Sequence, residues 1–125
     1  MANPEPKRQT DLAGLKPAFR AKVVTLLDNM QAKGWDPVVF EARRSAERQA
    51  WLYGISRTHH LKSRPVTWTR TSKHQAGVAV DIISQEHGWS NHQFFDALKR
   101  EAVKLALHDY RGGQDFDKDC AHIQE

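Results

Sequence analysis

Residues 77–83 read Gly-Val-Ala-Val-Asp-Ile-Ile, a short apolar run rich in β-branched residues, and such a run reads as a β-strand. It carries a carboxylate, Asp81, and seven positions earlier, in the loop that enters it, stands His74. An imidazole and a carboxylate at the lip of a strand are potential metal ligands, and a bend at Gly77 or a strong twist must bring them to one point. Spacing alone leaves the pair ambiguous. A loop histidine and an aspartate capping a strand end fit it as well.

The rest of the chain limits what can surround that strand. Its 125 residues make one domain, spanning 1–125, with residues 1–11 an extended or flexible arm. No apolar run approaches the roughly 20 residues needed to cross a bilayer, so no membrane insertion is expected. The start, MANPEPKRQTD, lacks the apolar core of a secretory signal, and synthesis in the cytoplasm is the expectation. Cys120 is the only cysteine, which excludes an internal disulfide and any Cys-x-x-Cys zinc knuckle. A net charge of +4 and a pI near 9.4 favour an anionic partner: nucleic acid, anionic lipid or a cell-wall polymer.

Periodicity supplies the other elements. Residues 16–34 place Phe19, Val23, Leu26, Leu27 and Met30 on one helical stripe, with Pro17 suited to a first turn and Gly34 to a C-terminal cap. Residues 36–42 predict a strand, and 45–56 a helix with Ser45 as N-cap. Residues 57–71 read as a long basic loop with a short strand at 66–69. Ser90 and Gln93 suggest a capping box for a third helix, continued by Phe94, Leu98, Ala102 or Val103, and Leu105 and ending near His108. A glycine-and-aspartate loop over 111–119 and a last short strand in 120–125 close the chain. So few strands among these helices predict an α+β fold, a small antiparallel sheet packed with about three helices on one face.

The complete pattern around the first strand is Ser72-x-His74-x-x-Gly77-x-Ala79-x-Asp81, followed by Asp119-x-x-His122. This combination resembles the zinc D-Ala-D-Ala carboxypeptidase and L-alanyl-D-glutamate peptidase family, which includes compact phage endolysins and shares its fold with the hedgehog signalling domain. The likeness extends to residues 41–58, with an Arg-Ser turn and a Gln-containing helix, and to the Gly-Gly loop at 112–113, covering roughly residues 12–125.

By that resemblance His74, Asp81 and His122 are zinc ligands, and two neutral imidazoles with one carboxylate would leave the ion a net charge of +1 and an open position for water. Asp119 matches the family's general base, which takes a proton from that water and passes it to the departing amine. Arg44 matches the arginine of the Arg-Ser turn, suited to hold a substrate carbonyl or carboxylate and the oxyanion formed on attack. On a strand Arg43 and Arg44 point to opposite faces, so only one of them faces the metal, and Arg44 is the choice. Gln49 supports the same wall unless it is merely an exposed helix residue, and Ser72 bonds a ligand, the substrate or its own backbone. Cys120 departs from the bulky or proline residues common there in related sequences; it falls on the same side of an extended strand as His122, so approach to the zinc as a thiolate ligand or inhibitor is the alternative, and a small buried hydrophobe is the default for it. His59, His60, His87, His92 and His108 match no motif position.

The activity the resemblance implies is zinc-dependent cleavage of the peptidoglycan stem peptide, at the L-alanyl-D-glutamate bond, by a monomeric endolysin. A D,D-carboxypeptidase remains open, with loop 57–70 supplying a cation for the terminal carboxylate, as does a non-catalytic zinc-dependent wall-binding module. No nucleic-acid partner is expected: Trp51, Tyr53 and Trp68 near basic residues suggest a stacking platform, but Trp51 and Tyr53 fall in a helix and fit core or cleft wall.

Overall fold

The computed structural model describes residues 5–54, 75–108 and 121–125. Three helices and three strands follow the order α1 (Pro17–Ala32), β1 (Pro37–Glu41), α2 (Ala46–Gly54), β2 (Ala79–Ser84), α3 (His92–Lys104) and β3 (His122–Gln124). The strands form one antiparallel sheet in the order β1-β2-β3, with β2 central, and the α+β class follows directly from this arrangement. The expected strand at 66–69 and the loops over 57–71 and 111–119 lie outside the described residues.

The core is built where the apolar periodicity put it. Phe19, Val23, Leu26 and Met30 of α1 and Phe94, Phe95, Leu98 and Ala102 of α3 form one cluster with Val80, Ile82 and Ile123 of the sheet, α1 packing on α3 and β1 and α3 on β2. Strand residues alternate faces, so the neighbours of these core positions, Asp81 on β2 and His122 on β3, emerge on the side of the sheet away from α1 and α3. The hydrophobic layer thus fixes the sheet, and the register of the sheet fixes the polar pair.

Local chemistry sets the element ends. Ser45 caps α2, its hydroxyl accepting from the Arg48 amide at 3.0 Å. The cap of α3 is Asn91 rather than Ser90: the Asn91 side chain accepts from the Phe94 amide at 3.2 Å, while the Ser90 hydroxyl turns back to donate to the His87 carbonyl. Helix α3 also stops earlier than its sequence suggests, at Lys104, because Ala106 adopts the left-handed region at φ 58° and His108 then pairs with Gln124 as a β-bridge. Val103, offered as an apolar position of that helix, is 72% exposed; Ala102 is the one turned inward.

Strand β2 begins at Ala79, and Gly77 lies in the turn before it at φ 76°, where a side chain would place its Cβ 2.8 Å from the Gly14 carbonyl. The Gly77 carbonyl accepts from the Lys16 amide at 2.9 Å, which ties the entry of β2 to the start of α1. Residues 5–10 carry no helix or strand but lie along β1 and α2: the Gln9 carbonyl accepts from the Ala42 amide at 2.7 Å, and Arg8 stacks over the Phe40 ring at 3.8 Å.

Two carboxylates away from the polar pair brace the framework. Glu101 of α3 is buried and receives Lys33 at 2.5 Å and Lys104 at 3.0 Å, and the Lys33 hydrogen bond chiefly holds its carboxyl below the usual range. Asp36 accepts from the Glu86 amide at 2.9 Å and from the Ser84 hydroxyl at 2.8 Å, and these bonds, the amide first, lower its pKa likewise. No helix among the described residues is long and apolar enough to cross a membrane.

Candidate active site

Asp81 is the third residue of β2 and pairs with His122 on one side and Glu41 on the other. It is therefore a mid-sheet residue and not the cap of a strand end. The His122 Nδ1 lies 3.5 Å from the Asp81 Oδ1, and the Arg44 Nη2 lies 3.7 Å from the Asp81 Oδ2. A β-bulge between Val39 and Glu41 creates this convergence, since the extra residue sets Glu41 opposite Asp81.

Arg44 is locked in place by three partners. It donates from Nη1 to the Gln49 Oε1 at 2.8 Å and from Nη2 to the Glu41 Oε1 at 2.8 Å, and its third contact is Asp81. Arg43 turns the other way, its Nε donating to the Gln75 carbonyl at 3.3 Å. The two arginines diverge as the sequence suggests, though both lie in the turn beyond β1 rather than on the strand. Gln49 is fully buried, 0% exposed, which removes the reading of it as an idle surface residue. Trp51 and Tyr53 of the same helix are half-buried.

Sequence reasoning missed Glu41 and Arg48. The Glu41 carboxylate, 1% exposed, sits between two guanidinium groups, receiving Arg44 on one oxygen and the Arg48 Nε on the other. Arg48 in turn donates from Nη1 to the Glu5 Oε2 at 2.8 Å and to the Pro6 carbonyl at 3.0 Å. A chain of alternating charges therefore runs from Glu5 through Arg48, Glu41 and Arg44 to Asp81. The signal was present: a carboxylate at the end of a strand, with arginines three and seven residues later across a strand-turn-helix step. Among the described residues the Arg44 Nε is buried without a hydrogen-bond partner. Such an orphan donor costs about 1–3 kcal/mol and calls for an explanation where it persists.

The donor set bears on metal binding. No group of three metal-ligating side chains occurs among the described residues, and His74, Ser72, Asp119 and Cys120 lie outside them. Asp81 and His122 nevertheless suit one ion. Two ligands each about 2.0–2.2 Å from a tetrahedral zinc stand about 3.3–3.6 Å apart, and the observed separation is 3.5 Å. That separation is too long for a good N–H···O hydrogen bond. The other ring nitrogen, Nε2, donates to the Gln124 Oε1 at 2.9 Å, which leaves Nδ1 as the ring nitrogen turned toward Asp81.

The fold that carries this site has counterparts among solved structures. It superposes on the Serratia marcescens L-Ala D-Glu endopeptidase ChiX with a TM-score of 0.59 at 24% identity, covering 94% of this chain and 89% of that one. It superposes on VanYB in complex with D-alanine-D-alanine with a TM-score of 0.70 at 18% identity, covering 96% and 78%. A vancomycin-resistance D,D-pentapeptidase VanY variant in complex with Zn(II) gives a TM-score of 0.69 at 17% identity, covering 98% and 82%. The fold is thus the one shared by these peptidases. No curated protein matches the sequence. Residues 13–117 match VanY, D-alanyl-D-alanine carboxypeptidase, and the chain belongs to this family of peptidases acting on peptidoglycan. The resemblance drawn from the two sequence motifs is borne out at that level.

Proposed function

We propose that this chain is a zinc-dependent peptidase that cleaves the stem peptide of peptidoglycan between L-alanine and D-glutamate. The observation that carries the reading is the Asp81–His122 pair, whose facing donor atoms lie at the spacing of two ligands on one tetrahedral ion. Asp81, His122 and, by its motif position, His74 would hold zinc. The Zn(II) complex of the related VanY enzyme supports that choice of metal. Bound zinc supplies a Lewis acid that brings the pKa of a water near neutrality.

The protein's own groups supply the rest. Asp119 is the proton carrier, taking a proton from the attacking water and delivering it to the departing D-glutamate amine. Arg44 offers positive charge beside Asp81 for the scissile carbonyl as its oxygen gains charge, and Glu41 and Gln49 keep that guanidinium from swinging away. Ser72 contributes a hydroxyl to a ligand or to the substrate. The net charge of +4 suits an anionic cell wall, and the setting is a monomeric endolysin made in a host cytoplasm that acts on the wall after release.

The likeness to the L-Ala D-Glu endopeptidase ChiX, 24% identical against 18% for VanYB, supports the endopeptidase choice, whereas the TM-scores, 0.59 against 0.70, favour VanYB. The second reading is a D,D-carboxypeptidase, favoured by the family description and by the VanYB complex with D-alanine-D-alanine. The metal claim is tested by measuring zinc content after dialysis. Wild type should retain about one zinc per chain, whereas Asp81→Asn and His122→Ala should lose it. Metal-free wild type that still cleaves muropeptides would refute the reading.

A further inference from the structure

We infer that Gln124 is a positioning residue that sets the tautomer and ring orientation of His122, and so decides which nitrogen the histidine presents beside Asp81. The inference rests on the zinc-peptidase reading above. His122 and Gln124 are two residues apart on β3, so their side chains leave the same face of the strand. The Gln124 Oε1, which can only accept, lies 2.9 Å from the His122 Nε2. Nε2 therefore carries a proton toward Gln124, and Nδ1 is the ring nitrogen turned to the Asp81 Oδ1 at 3.5 Å.

The backbone beneath this pair is held on three sides. The Lys99 Nζ donates to the His122 carbonyl at 2.9 Å. The amide and carbonyl of Gln124 exchange hydrogen bonds with those of His108 at 2.7 and 2.8 Å. His122 also pairs with Asp81 across the β2–β3 ladder. With the backbone fixed, ring rotation and choice of tautomer are the freedoms on which the Gln124 carbonyl acts. A neutral imidazole in free solution divides its proton between two nitrogens, so a chain that needs Nδ1 bare benefits from an acceptor built opposite Nε2.

The test compares wild type, Gln124→Leu and Gln124→Glu, the last keeping an acceptor at similar reach. Two readouts are taken: the ring-nitrogen NMR shifts of His122 in metal-free protein, and the zinc dissociation constant by competition with a chromophoric chelator. Wild type and Gln124→Glu should show protonated Nε2. Gln124→Leu should show a mixture of tautomers and a zinc dissociation constant about 10–100-fold higher. Gln124→Met repeats the comparison if the leucine variant melts early. Unchanged ring shifts and unchanged zinc affinity in Gln124→Leu would overturn the role of Gln124. A wild type that binds no zinc would overturn the peptidase reading itself, a different failure with a different signature.

Discussion

Replacing Glu41 by glutamine tests whether the buried charge chain holds the arginine wall together. The Glu41 carboxylate is 1% exposed and receives Arg44 at 2.8 Å and the Arg48 Nε. Glutamine keeps one acceptor oxygen and puts an amide N–H group against the second guanidinium, so one charge-assisted bond weakens and the other becomes a donor facing a donor. Breaking a buried ion pair from one side costs about 3–5 kcal/mol. Here each arginine retains other partners, Gln49 at 2.8 Å and Asp81 at 3.7 Å for Arg44 and Glu5 at 2.8 Å for Arg48, which points to the lower end, about 3 kcal/mol. For a chain between the 100- and 150-residue classes that corresponds to a fall in Tm of roughly 10–15 °C, read by circular dichroism. Glu5→Gln is the internal control: its side chain is 51% exposed, and removing so open a partner costs about 0–1 kcal/mol. A Glu41→Gln protein that melts within about 3 °C of wild type, or no lower than Glu5→Gln, would refute the reasoning.

Three further perturbations follow from the same geometry. Gly77→Ala forces a left-handed residue to carry a Cβ 2.8 Å from the Gly14 carbonyl; it should cost at least about 1–2 kcal/mol in urea unfolding, and an unchanged midpoint would contradict this. Asn91→Ala removes the acceptor for the Phe94 amide and should cost about 1 kcal/mol, whereas Ser90→Ala should cost less; the reverse order would restore Ser90 as the cap. The folded-state pKa of Glu101 and of Asp36 lies below the ordinary 4.5 and 3.8, so their contributions are complete above those values and fade as pH falls through and below them. Tm measured from pH 6 down to pH 2.5 should therefore drop below about pH 4.5, and Glu101→Gln should flatten that acid limb; an unaltered limb would reject the assignment.

What the sequence revealed and what it hid divide along physical lines. The stripe Phe19, Val23, Leu26 and Met30 and the run Val80 to Ile83 announce a helix and a strand because burial imposes their periods, and Asp81 interrupts that run in plain view. His122 was legible only through its motif, since nothing local says that residue 122 will pair with residue 81. Glu41 and Arg48 were overlooked despite their spacing, because charged residues at a strand end and on a short helix look like solvated surface until the bulge at Val39–Glu41 sets Glu41 inside, where Arg48 meets it. The choice between Ser90 and Asn91 turned on one residue of register between two good capping types. The early end of α3 was hidden because Ala106, unlike glycine or asparagine, gives no warning of a left-handed turn.

The most direct test of the central claim is digestion of purified peptidoglycan by wild type and by Asp119→Ala, with zinc content measured on both proteins and new end groups identified by mass spectrometry. New N-terminal D-glutamate released by wild type alone, with zinc retained in the variant, is the predicted result. Release of free D-alanine would contradict the endopeptidase assignment in favour of the carboxypeptidase, and zinc binding without any cleavage would contradict catalysis altogether.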